Sequence, residues 1–237
     1  MTPPPGYVLK LFSNIAVQSA LEALLPRFEA QNGCRLAVTW NTAPALVKRL
    51  QAGETADVLF LNRAGIDTLA RDGRILAGSE AVLASSATAI GIRAGAARPD
   101  ISTPDALKQT LLAARAVSYT DPAAGGASGI YFAKLIGRLG IADAINAKTI
   151  FPPPGGLSGG LLASGAVDLA VQQIPELMQV SGVEVLGTLP GDLHMVTVFV
   201  AGVEASSPQA ERGKALIAFL RTPEAVAMFR AKGLDTP

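Results

Sequence analysis

Hydroxyl, amide and very small residues gather at four places in this chain of 237 residues, each where a strand-like pattern gives way to a helix-like one: "FSNIAVQ", "WNTAPAL", "AGGASGIY" and "PPGGLSGG". The first turn of a helix has N–H groups without intrahelical partners and a partial positive charge, so it holds an anion with no charged side chain. Ser13, Asn14, Asn41, Thr42, Ser128 and Ser158 bring hydroxyl and amide groups to these starts, and Gly126 lets a ligand approach bare backbone. Taken singly, each of these residues is more often an ordinary cap or turn. Taken together they point to one anion site, because helix starts that follow parallel strands share the sheet edge where ligands bind.

Competing chemistries are poorly served. "GLSGG" at residues 156–160 spells a nucleophile elbow, and Ser158, Asp168 and His194 occur in hydrolase order. That elbow needs a laddered strand entering the serine, which the prolines of "FPPPGG" deny, and the lone His194 reads as a surface or packing residue. No Walker lysine follows a glycine run. A single cysteine, Cys34, excludes an internal disulfide, and with one histidine and no spaced carboxylate cluster neither a metal nor another cofactor is expected. Twenty basic and 19 acidic residues nearly cancel, which argues against a nucleic-acid partner. No run reaches transmembrane length, so membrane insertion is not expected. "MTPPPGYVLKLF" lacks the basic-then-apolar form of an export signal, so the expected location is the cytoplasm, or the periplasm if a leader has been removed.

The elements that must position these residues follow from apolar periodicity. Strands are expected at Tyr7–Phe12, Arg35–Trp40, Asp57–Leu61, Ala87–Arg93, Ala116–Tyr119, Lys148–Ile150, Leu169–Gln173 and Met195–Ala201. Helices are expected at Val17–Gln31, with a kink at Pro26 and a stop at Gly33, then at Pro44–Ala52, from Thr103, and at Ile130–Leu139. Further helices are expected at Leu157–Ser164, Pro208–Arg221 and Pro223–Ala231. Alternating strands and helices predict an α/β fold with mostly parallel sheets. Two such blocks without a flexible linker predict two lobes, residues 1–84 plus 197–237 and residues 85–196, with a ligand cleft between them. Trp40 reads as strand-end core or as a stacking face, and Gln172 and Gln173 as ligand contacts or solvent-facing ends.

Several blocks carry a family resemblance: "LKLFSNIAVQSALEALLPRFEAQNG", "LVKRLQAGETADVLFLN", "DPAAGGASGIYFAKLIGRLG", "AVDLAVQQIPEL" and "LIAFLRTPEAVAMFRAKGL". Across nearly its whole length the chain resembles the molybdate-binding periplasmic proteins, within the type 2 periplasmic binding protein fold. The resemblance implies two lobes closing on a small anion, and an ABC transporter permease as a partner if the protein is exported. It also implies contacts at Ser13–Ala16, Asn41–Pro44, Ser128, Leu157, Ser158 and Gln172. Ala16 stands where those proteins carry a serine, "NTAP" replaces a serine run, and Gln172 replaces a tyrosine. Amides in place of hydroxyls suit a carboxylate better than a tetrahedral oxyanion.

Relatives in this broad family are also described as isomerases of small tricarboxylates such as aconitate, so two functions stand. One is a binding protein for an oxyanion or small organic acid. The other is a cofactor-independent isomerase, which needs a proton-transfer group and a cation: Asp121 or Tyr131 for the first, Arg63 for the second. A third is a sensor that passes its closed state to a partner.

Overall fold

The computed structural model describes residues 6–153 and 155–237; residues 1–5 and Pro154, which belong to the two proline runs, lie outside them. The chain forms two compact units, one made of the chain to Ser85 together with Val198–Pro237, the other of Ser86–Thr197. It passes between them within two strands.

The first unit begins β1 (Val8–Asn14), α1 (Gln18–Asn32), β2 (Arg35–Asn41), α2 (Ala43–Gln51), β3 (Val58–Asn62), α3 (Arg63–Arg71) and enters β4 (Ala81–Arg93). The second holds α4 (Pro104–Ala113), β5 (Val117–Tyr119), α5 (Ala127–Arg138), α6 (Ala142–Asn146), α7 (Ser158–Ala163), β6 (Leu169–Gln173), α8 (Ile174–Met178) and β7 (Val183–Thr188). β8 (Val196–Val203) returns the chain to the first unit, which ends in α9 (Ala210–Phe219) and α10 (Pro223–Ala231).

In the first unit β1 lies between β2 and β3, all parallel, and β8 pairs antiparallel with β3. In the second, β5 and β6 are parallel, while β4 pairs antiparallel with both β6 and β7. The first unit's sheet is thus mostly parallel, with β8 running against it, while the second unit's is mixed, because β4 runs against β5, β6 and β7.

Each sheet is covered on both faces, as its uninterrupted apolar strands require. Val58 and Phe60 of β3 pack into a core with Leu21, Leu24 and Phe28 of α1, whereas Leu59 and Leu61 face Leu46, Leu50 and Ile66. In the second unit Leu169 and Val171 of β6 join Phe132 and Leu135 of α5, and Ala170 faces Leu162 and Leu177. α1 continues through Pro26 and stops at Gly33, whose φ of 58° is the left-handed conformation that favours glycine. Thr103 caps α4 by accepting a hydrogen bond from Ala106 N.

The strand expected at Lys148–Ile150 is reduced to a single bridge between Thr149 and Val117. Four elements had no expectation. α6 and α8 are five residues each and every residue of β7 is only half-buried, so none of these three carries a strong apolar period, whereas α3, which starts immediately after β3, is amphipathic and buries Ile66 and Leu69 on one face.

Candidate anion-binding site

In the first unit, the three parallel strands each end in an asparagine. The register sets Asn14 beside Asn41, and Ser13 beside Phe60, two residues before Asn62. Each side-chain oxygen accepts from the turn that follows: Asn14 Oδ1 from Ala16 N at 2.9 Å, Asn41 Oδ1 from Thr42 N at 2.8 Å, and Asn62 Oδ1 from Gly65 N at 2.9 Å. A backbone N–H can bond only the oxygen of an amide, so each Nδ2 is turned away from the turn it caps. Hydrogen bonding thus fixes three two-proton donors at one sheet edge, each half-buried and with no protein acceptor among the described residues.

The other expected residues of this unit are placed differently. Ser13 is fully buried, its Oγ only 3.5 Å from the Asn14 carbonyl oxygen. Thr42 opens α2 as its N-terminal cap residue. Trp40 is half-buried against the core that includes Phe28. Arg63 opens α3 with its guanidinium 3.1 Å from Glu80 and 3.6 Å from Asp67.

The second unit is built around the start of α5. Its cap, Gly126, has no side chain, the helix begins with Ile130 N bonded to Gly126 O, and the amides of Ala127, Ser128 and Gly129 face no acceptor among the described residues. Ser128 is buried at this turn. The run of small residues here has a packing cause as well. A Cβ on Gly129 would lie 2.0 Å from Thr120 O, and one on Gly126 would lie 2.6 Å from Thr120 Cγ2. Only glycine lets α5 start so close to the end of β5.

Gln172 is a tie rather than a free donor. Its Oε1 accepts from Ser158 N at 2.8 Å and its Nε2 donates to Thr120 Oγ1 at 3.3 Å, which fixes the start of α7 against the residue after β5. Leu157 caps α7 through its backbone alone, and Ser158 Oγ is buried with no partner. Of the four helix starts at which open backbone amides are expected, two have an amide taken by a neighbouring side chain, Ala16 N by Asn14 and Ser158 N by Gln172; Asn41 accepts from the amide of the cap residue Thr42, and none of Thr42, Gly126 and Leu157 caps its helix with a side chain.

Catalytic candidates are engaged elsewhere. Asp121 accepts from Ala123 N at 2.9 Å, and Tyr131 Oη donates to Leu193 O at 3.0 Å. No hydrolase triad assembles: Asp168 is bound by Arg115 at 2.6 Å, His194 is exposed, and Ser158 Oγ has no bond. Among the described residues no group of His, Cys, Asp and Glu is arranged to hold a metal ion.

Two residues were missed. Asn62 carried a signal, since "LFLN" repeats the strand-then-asparagine of "FSN" and "TWN". Glu176, at the start of α8, carried none: burial pushes its carboxyl up to about 7, against the opposing pull of Gln173 N–H, which it accepts at 3.1 Å.

Donors at sheet edges and helix starts, in an α/β chain of two units, define the solute-binding class of the type 2 periplasmic binding fold. The chain belongs to the bacterial extracellular solute-binding protein family, whose model matches residues 9–235. It is similar to an aconitate isomerase from Pseudomonas sp., 29% identical over 97% of this chain and 88% of that protein. In structure it resembles the periplasmic molybdate-binding protein of Azotobacter vinelandii, with a TM-score of 0.80 at 20% identity, covering 97% of this chain and 99% of that one. It also resembles the sulfate-binding protein of Mycobacterium tuberculosis, with a TM-score of 0.75 at 16% identity over 97% and 87% of the two chains. No described helix is long and apolar enough to cross a membrane.

Proposed function

We propose that this protein is a receptor for a small organic polycarboxylate, held by the asparagine amides of the first unit. The observation that carries this reading is the orientation of Asn14, Asn41 and Asn62, whose oxygens are occupied by backbone and whose amide protons are therefore presented as donors. Planar carboxylates with several oxygens use such spaced donors well, whereas a tetrahedral oxyanion is gripped by a tight hydroxyl shell, and here Ser13 and Ser158 are buried in the protein. Family membership supports work outside the cytoplasm beside an ABC transporter permease.

Calorimetry against citrate, cis- and trans-aconitate, malate, molybdate and sulfate tests this. Carboxylates are expected to bind at least tenfold more tightly than either oxyanion; molybdate or sulfate binding best would overturn the reading.

The likeness to an aconitate isomerase along 97% of the chain favours a second reading, a proton-shifting enzyme on the same scaffold. Of the named groups, Glu176 has the carboxyl best tuned to exchange a proton near neutrality, because burial raises it to about 7. Incubation with cis- or trans-aconitate in heavy water distinguishes the readings: a receptor returns both isomers unlabelled, whereas an isomerase interconverts them with deuterium uptake.

A further inference from the structure

At the end of the second unit's sheet away from Gln172 and Thr120 lies a pocket of about 600 Å³. Arg115 precedes β5 and residues 165–169 lead into β6, so the pocket sits at the strand beginnings, whereas the candidate anion site follows the strand ends. Its floor is apolar, with Ile92, Val167 and Leu169 nearly fully buried beneath it, and Pro99 and Ala113 on its sides. Pockets of this size with an apolar floor and few polar groups are the usual form of small-molecule sites.

The charges at its wall are unequal. Asp168 commits both carboxylate oxygens to Arg115, accepting from its backbone N at 2.7 Å and from its Nη2 at 2.6 Å, and that guanidinium holds the Asp168 carboxyl below the usual range. Arg98 is paired with Glu184. Arg93, by contrast, has no side-chain hydrogen bond or ion pair among the described residues, and a Cβ added at Gly165 would lie 3.6 Å from its Nη1, which sets the guanidinium over that turn. The pocket therefore couples apolar surface to one uncompensated cation.

We infer that this pocket is a second binding site, independent of the proposed receptor site, for a monocarboxylate with a compact apolar body: the body lies on Ile92, Val167 and Leu169, and the carboxylate meets Arg93. An arginine pairs a carboxylate through two parallel N–H groups, while a cationic analogue of the same shape would meet like charge.

Titration of the full chain with 4-phenylbutyrate, followed by amide NMR, tests this. Shifts are expected at Arg93 and residues 165–169, with the amides of residues 127–129 unmoved. The matched amine, 4-phenylbutylamine, should bind at least about tenfold more weakly. Arg93→Gln should weaken 4-phenylbutyrate about fivefold or more. Ala113→Phe, a change on the exposed end of α4 that fills the pocket, should abolish the shifts with unfolding unchanged. No shifts at these residues, equal binding of the amine, or undiminished binding by Arg93→Gln would each overturn the proposal.

Discussion

Gly129 and Gly137 lie in the same helix and differ in what surrounds them. A Cβ on Gly129 would collide with Thr120 O at 2.0 Å, whereas one on exposed Gly137 would meet nothing within 4 Å. Gly129→Ala should therefore lose at least ~2 kcal/mol through overpacking. Gly137→Ala should gain about 0.5–1 kcal/mol from helix propensity. Urea unfolding of the two variants checks both signs. Glu176 sets a pH dependence whose direction follows from linkage. Its folded pKa of about 7 exceeds its ordinary value of 4.5, so between these limits the unfolded chain gives up a proton that the folded one keeps. Its contribution to stability is thus intact below about 4.5, falls as pH rises, and is lost above about 7. Glu176→Gln keeps an oxygen for Gln173 N–H and removes the titration; its unfolding midpoint should exceed that of the parent at pH 8 and match it at pH 4.5. A parent that gains stability from pH 5 to 7 relative to this variant would contradict the assignment.

At the scale of elements, Gln172 joins the end of β6 to the start of α7 and to the residue after β5 through two hydrogen bonds. Gln172→Met preserves length and apolar fit but leaves the buried Ser158 amide without an acceptor, a loss of about 1–3 kcal/mol. Hydrogen exchange of the Ser158 amide should accelerate in this variant; unchanged exchange would show that Gln172 does not hold the α7 start. Strands buried on both faces announced themselves in the sequence, since β6 is five consecutive buried residues, Leu169–Gln173, with polar residues only at its close. α4 did the same through its threonine cap and first-turn proline. α6, α8 and β7 are short or half-exposed and lie within irregular chain, so no period of 2 or 3.6 accumulates before they end. The bare residues before α5 raised the right question, and the close approach of Thr120 O to Gly129 supplies much of the answer.

For the molecule as a whole, family membership was legible because the blocks that carry the resemblance lie along most of the chain, and the family match spans residues 9–235. The donors were harder to read. Which atom of an asparagine faces a ligand depends on which backbone N–H claims its oxygen, and that is decided by the turn after each strand rather than by the residue type. A receptor is also stabilised by what it binds. Ligand at a hundredfold excess over its Kd should raise the unfolding free energy by ~2.7 kcal/mol, visible as a concentration-dependent rise in Tm for the preferred carboxylate. Absence of any shift for a ligand that calorimetry reports as bound would mean that it binds the unfolded chain equally well.

The central claim rests on asparagine amides acting as donors, and Asn→Asp substitution isolates that role. At positions 14, 41 and 62 an aspartate still accepts from Ala16 N, Thr42 N and Gly65 N, so the caps survive, but each amide donor becomes a negative charge. Measured by calorimetry with the tightest carboxylate of the panel, Asn14→Asp, Asn41→Asp and Asn62→Asp should each weaken binding at least tenfold while leaving the unfolding free energy within about 1 kcal/mol of the parent. Unaltered affinity in all three, with the fold intact, would contradict the account.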